Sequence, residues 1–129
     1  MTYGLRNAGA VTVVHLAGCI THDESTSLSG ITGCEQLRKL IHDLLKDGRK
    51  NVLLNFRDIT HVDSCGIHEL FNCFEGLRER GGFLKLVGPI ERVHNIIRLT
   101  KLDTIIDVIE EEPAALRSFP ENGDSVMAA

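Results

Sequence analysis

Apolar positions along the chain change their period several times, and each change marks an element. Val11-Thr12-Val13-Val14-His15-Leu16, Asn51-Val52-Leu53-Leu54-Asn55-Phe56 and Phe83-Leu84-Lys85-Leu86-Val87 are short, β-branched or densely apolar runs that read as strands. Between them the spacing is helical. Leu37, Leu40, Ile41, Leu44 and Leu45 share one face, as do Ile67, Leu70, Phe71, Phe74 and Leu77, and then Ile90, Val93, Ile96 and Ile97. The punctuation agrees with this reading. Ala8-Gly9 supplies a turn after a short strand at Leu5 to Asn7, and Gly18 is expected to stop the second strand. Thr32-Gly33-Cys34-Glu35 matches a capping box, and Gly48 is a helical stop. Arg80-Gly81-Gly82 is a break, and Pro89 suits the first turn of the third helix. Thr104 to Ile109 reads as the last strand, and Pro113 opens a closing helix through Phe119.

The resulting order, β-β-α-β-α-β-α-β-α, predicts an α/β fold. An N-terminal hairpin joins a mixed sheet with four helices against it, the first three on right-handed crossovers. Residues 1–119 form one domain and 120–129 a frayed tail, with no internal repeat. Parallel strands joined by crossovers place their carboxyl ends on one edge, so the polar loop from Gly18 to Gly33 and the Asp63-Ser64 turn should meet at the same end of the molecule.

Composition narrows the function. The 129 residues are 43% hydrophobic and 25% charged, enough for one ordinary core. A formal charge of -4, with no basic cluster denser than Arg49-Lys50, argues against direct nucleic-acid binding. No stretch is long and apolar enough for a membrane span, and the N-terminus lacks the pattern of a signal peptide, so a cytoplasmic location is expected. Cys19, Cys34, Cys65 and Cys73 contain no Cys-x-x-Cys pair, which removes zinc-ribbon and thioredoxin motifs and leaves reduced thiols as the simpler reading. No cofactor is implied.

The candidate chemistry lies in Asp63-Ser64-Cys65-Gly66, where a helical pattern starts just past a strand. Ligands and partners are met at such strand ends in open α/β sheets. Asp63 and Ser64 are both good N-caps, so one can cap while the other faces solvent. Cys65 and His68, three residues apart on a helix, could activate a thiolate, although no orienting acid is evident. His61, Asp63, Cys65 and His68 are competent metal ligands, but their spacing fits no closed zinc pattern. A receiver-type phosphoaspartate is disfavoured because the chain opens with a hairpin, and its acidic pair, Asp23-Glu24, lies in a loop after the second strand.

The whole pattern resembles the STAS domain, specifically bacterial anti-sigma-factor antagonists. The likeness spans Leu5 to Phe119. It is carried by Val52-Leu53-Leu54-Asn55-Phe56, His61-Val62-Asp63-Ser64-Cys65-Gly66-Ile67, Gly82-Phe83-Leu84-Lys85-Leu86-Val87-Gly88 and Leu99-Thr100-Lys101-Leu102-Asp103. The resemblance implies a binding module, not an enzyme, with Ser64 as phosphoacceptor. Its implied partners are an anti-sigma factor that is also a serine/threonine kinase, bound by the unphosphorylated form to free a sigma factor, and a serine phosphatase that resets the switch. The partner-binding edge then comprises Thr21, His22 and Asp23 from the loop and His61, Asp63, Cys65, Gly66, Ile67 and His68 around the turn. Three features depart from the family pattern: Cys65 replaces the usual Ser or Thr, His68 replaces a small residue, and the loop from Thr21 to Gly33 is longer. Domains of this kind also serve as scaffolds or transporter partners without a phosphoswitch, which is the alternative reading.

Overall fold

The computed structural model describes residues 1–22 and 32–119. Asp23, most of the long loop and the expected tail at 120–129 lie outside those residues. The elements are β1 (Thr2–Ala8), β2 (Val11–Ile20), α1 (Gly33–Lys46), β3 (Asn51–Val62), α2 (Ser64–Glu79), β4 (Phe83–Val87), α3 (Glu91–Leu99), β5 (Asp107–Ile109) and α4 (Glu112–Arg117). They form the predicted order. One five-stranded sheet runs β1-β2-β3-β4-β5, antiparallel at the β1–β2 hairpin and parallel thereafter.

Alternation along the strands sends side chains to two unequal cores. Val14, Leu16, Val52, Leu54, Phe56, Leu84 and Leu86 face the larger one, which α1, α2 and α3 cover with Leu37, Leu40, Ile41, Leu70, Leu77, Val93 and Ile97. Val11, Val13, Leu53 and Val87 face the other way and meet Ala115 of α4 and the following Phe119. Lys85 shares that second face. Its ammonium is folded inward to Asp107 Oδ2 (2.9 Å) and lies 5.3 Å from the Phe119 ring centroid, so a nearly buried lysine keeps both an ion pair and a cation–π contact.

Several boundaries differ from expectation. Gly18 does not stop β2; it adopts φ 108° inside the strand, between two register shifts against β3, and the ladder continues to Ile20–Val62. β3 correspondingly runs six residues beyond Phe56, with Ile59 and Val62 buried at its far end. Ile90 is the N-cap of α3, so Pro89 precedes the helix rather than opening it. Leu102–Thr104 is a 3-10 turn after Lys101 at φ 62°, which shortens the last strand to Asp107–Ile109. α4 ends at Arg117, two residues before Phe119.

Two glycines place the helix starts. A Cβ on Gly33 would lie 2.2 Å from the Cys19 carbonyl oxygen, and one on Gly66 would lie 2.2 Å from the Ile20 carbonyl oxygen. The first turns of α1 and α2 therefore press directly on successive carbonyls at the end of β2. Gly33→Ala and Gly66→Ala are each expected to destabilise the protein by about 1–3 kcal/mol, because backbone rather than a flexible side chain must yield. Gly4→Ala, which meets nothing within 4 Å, should stay within about 0.5 kcal/mol of the parent. Urea titration of the three variants measures the contrast.

Candidate functional site at the start of the second helix

Asp63 and Ser64 divide the work that the sequence left open between them. Asp63 is extended (φ -99°, ψ -175°) and caps α2, its Oδ1 accepting from the Gly66 N–H at 2.8 Å. The other carboxylate oxygen reaches across to the end of β2. His22 donates its backbone N–H to Oδ2 at 3.1 Å, and its ring Nδ1 lies 2.6 Å from the same oxygen. One side chain thus ties the start of α2 to the segment leaving β2. Ser64 becomes the first helical residue, exposed, and its hydroxyl has no hydrogen-bond partner among the described residues.

Burial raises the Asp63 pKa, but the bonds from Gly66 and His22 together outweigh it and hold the carboxyl below the ordinary value of 3.8. The charged form is the one the fold uses.

The remaining predicted residues distribute around this hub. Thr21 is half-buried, and its carbonyl accepts the Cys34 N–H at 3.1 Å, which fastens the start of α1 to the same chain segment as His22. His61 is exposed near the end of β3, with Nδ1 3.1 Å from the Thr60 hydroxyl and 3.8 Å from Cys19 Sγ. His68 is exposed one turn into α2, Ile67 is half-buried against the larger core, and Gly66 is buried beneath the cap. The Cys65 thiol lies within 4.8 Å of the Cys34 thiol. The loop and the turn do meet at one end, as the crossover argument requires, through His22 and Asp63.

Cys34 was not among the predicted site residues. It sits at the second position of α1 as Cys65 sits at the second position of α2, and burial, aided by the neighbouring Cys65 thiol, pushes its thiol up to about 12. The capping box that starts α1 at Thr32 was visible in sequence, but not that α1 and α2 begin side by side. An ion pair with one buried and one exposed partner spans the two helices. Arg38 of α1 donates from Nε (3.1 Å) and Nη2 (2.9 Å) to Oε1 of Glu69 in α2, a carboxylate that is almost fully buried.

The architecture is a small α/β domain that offers an exposed hydroxyl and a polar edge beside a helix start. The chain belongs to the STAS domain family, whose model matches residues 6–115. It is 30% identical over 87 residues to a candidate anti-sigma factor antagonist of Thermotoga neapolitana, an alignment covering 67% of this chain and 77% of that protein. Among solved structures it resembles a candidate anti-sigma factor antagonist of Thermotoga maritima (TM-score 0.78, 20% identity, 91% of this chain and 93% of that one). It also resembles the phosphorylated form of the Bacillus cell fate determinant SpoIIAA (TM-score 0.63, 20% identity, 90% and 98%). No helix among the described residues is long and apolar enough to cross a membrane.

Asp63→Ala should lower stability by about 1–2 kcal/mol near neutral pH through loss of the cap. Because the folded-state pKa lies below the unfolded one, this contribution is fully present above the ordinary value of 3.8 and disappears as pH falls through the lower folded value. Parent and variant should therefore converge in stability under strongly acidic conditions. Denaturant titrations at neutral and acid pH test this; a gap that persists undiminished below both pKa values contradicts it.

Proposed function

We propose that this protein is an anti-sigma-factor antagonist whose binding edge is switched by phosphorylation of Ser64. In its unphosphorylated state it engages an anti-sigma factor that is itself a serine/threonine kinase, and so releases a sigma factor; a serine phosphatase resets it. The observation that carries this reading is the division between Asp63 and Ser64. Asp63 takes the capping role, which leaves the Ser64 hydroxyl exposed and unengaged among the described residues. A serine needed only for the cap would be turned inward. The family membership and the relatives' anti-sigma naming support an anti-sigma factor as the partner class.

In this reading the partner-binding edge comprises Thr21, His22, His61, Asp63, Cys65, Gly66, Ile67 and His68, with Asp23 assigned to it from the sequence alone. Asp63 is assigned to the cap and to His22 rather than to a base role; a kinase brings its own base and magnesium. No catalytic role is assigned to the module itself. The reaction transfers the γ-phosphoryl group of ATP to Ser64 Oγ, with ADP leaving and the hydroxyl proton passing to the kinase.

A phosphoserine carries about -1.5 to -2 charges. At the first position of a 16-residue helix this charge faces the positive end of the dipole, so the fold tolerates it. Its effect falls on the interface. Two like unit charges about 4 Å apart cost about 4 kcal/mol at an effective dielectric near 20. At 1.4 kcal/mol per tenfold, that is a loss of affinity by a factor on the order of 1,000.

Incubation with the cognate kinase and MgATP, followed by peptide mass spectrometry, should find phosphate on Ser64 and none in Ser64→Ala. The phosphorylated protein should bind that partner orders of magnitude more weakly while its melting temperature moves little. Loss of the cooperative melt on phosphorylation would contradict the mechanism. Absence of phosphate after treatment with a demonstrably active partner would favour a scaffold without a phosphoswitch.

A further inference from the structure

Cys34, Cys65 and Asp63 bring one ligand atom each within 4.8 Å of one another at the junction of α1, α2 and the end of β2. We propose that these three side chains form a binding site for a soft divalent cation of the zinc class. The donor set is sulfur, sulfur and oxygen. Two thiolates select borderline and soft cations over magnesium or calcium, which require oxygen shells. Around a tetrahedral zinc with Zn–S near 2.3 Å, neighbouring ligand atoms stand roughly 3.8 Å apart, so closure demands side-chain movements of about 1 Å or less.

The fold supplies this geometry by duplication. Each cysteine is the second residue of its helix, and each helix start is pressed onto a consecutive carbonyl of β2 by a glycine neighbouring that cysteine, Gly33 before Cys34 and Gly66 after Cys65. Burial and the neighbouring thiol hold Cys34 protonated without a cation, so the metal itself must displace the thiol protons, and binding is expected to strengthen as pH rises. Asp63 already accepts three bonds, from Gly66, the His22 backbone and the His22 ring, leaving about one of its four lone-pair directions for a metal. Those bonds hold the carboxylate in place, as outer-shell partners do in known metal sites. Cys34 is buried while Cys65 is half-exposed, so access is from the Cys65 side, and three protein ligands leave the fourth position of a tetrahedral cation to water or an added ligand.

Two thiolates and a carboxylate carry -3, which a dication reduces to -1, and binding releases the two thiol protons to solvent. Ser64 stands between two of the three ligands in sequence. A bound cation would therefore also brace the turn that presents its hydroxyl, but the site itself requires no phosphorylation.

The full-length, untagged, reduced protein is titrated anaerobically with Co²⁺ and then Zn²⁺. One equivalent of Co²⁺ should produce a thiolate-to-cobalt charge-transfer band and the visible absorption of a tetrahedral site, both abolished by stoichiometric Zn²⁺, and Zn²⁺ should raise the melting temperature. Cys65→Ser and Cys34→Ser should each lose the charge-transfer band or at least half of it, Asp63→Asn should weaken zinc binding at least tenfold, and Cys19→Ser, outside the cluster, should retain the parent spectrum. Far-ultraviolet circular dichroism of each variant establishes that it is folded; if Cys34→Ser is not, the half-exposed Cys65→Ser carries the test. Absence of the band in the reduced parent overturns the proposal. So does a band that survives unchanged in folded Cys65→Ser. Rapid conversion of the pair to a disulfide, with no band after re-reduction, would assign the two thiols to redox chemistry and also overturn it.

Discussion

The close approach of two helix starts to the carbonyl end of β2 is the constraint on which the site depends. Gly33 and Gly66 lie where any side chain would occupy the space of the Cys19 or Ile20 carbonyl oxygen. That contact sets where α1 and α2 begin, how near they are to each other, and which residues of their first turns can meet. It also explains why β2 must continue through Gly18 to Ile20, since a strand ending at Gly18 would leave the helix starts nothing to rest on. The irregular register between β2 and β3 delivers the carbonyls to that place.

Electrostatics then sorts the side chains at this junction. Asp63 is partly withdrawn from water, yet its carboxyl is held in the charged state by three donors that belong to the fold, two of them on His22. Because the carboxylate satisfies the helix terminus, Ser64 is not drawn inward to do so. The capping requirement that makes Ser and Asp interchangeable in many helices here decides which of the two is buried in bonds and which is presented.

Much of this could be read from sequence where a local rule governed. The capping box at Thr32–Glu35 is formed as predicted, and the apolar faces of α1 and α2 are the ones that pack on the sheet. The order of elements followed from periodicity together with the glycines and prolines that punctuate it. The far half of β3 did not, because Arg57, Asp58, Thr60 and His61 interrupt the apolar run, and only pairing with β2 keeps those residues extended. Gly18 misled for the same reason: a glycine with positive φ reads as a stop unless its partner strand is known. The Cys34–Cys65 pair was illegible because 31 positions of chain separate two residues brought together only by the crossover and the glycine contacts.

The two helix starts also cannot move independently. Arg38 and Glu69 link α1 to α2 just behind the junction, and Glu69 is buried enough that breaking the pair would strand its charge. In front, Asp63 binds α2 to His22, while the Cys34 N–H binds α1 to Thr21 in the same outgoing segment. A charge added at the exposed Ser64 position therefore meets a frame braced on both sides, whose nearest helix end is already polarised to receive an anion. Such a frame has little freedom to convert new charge into a change of fold. In the proposed switch the added charge acts on whatever docks on the edge, and the associations of the module change while its structure does not.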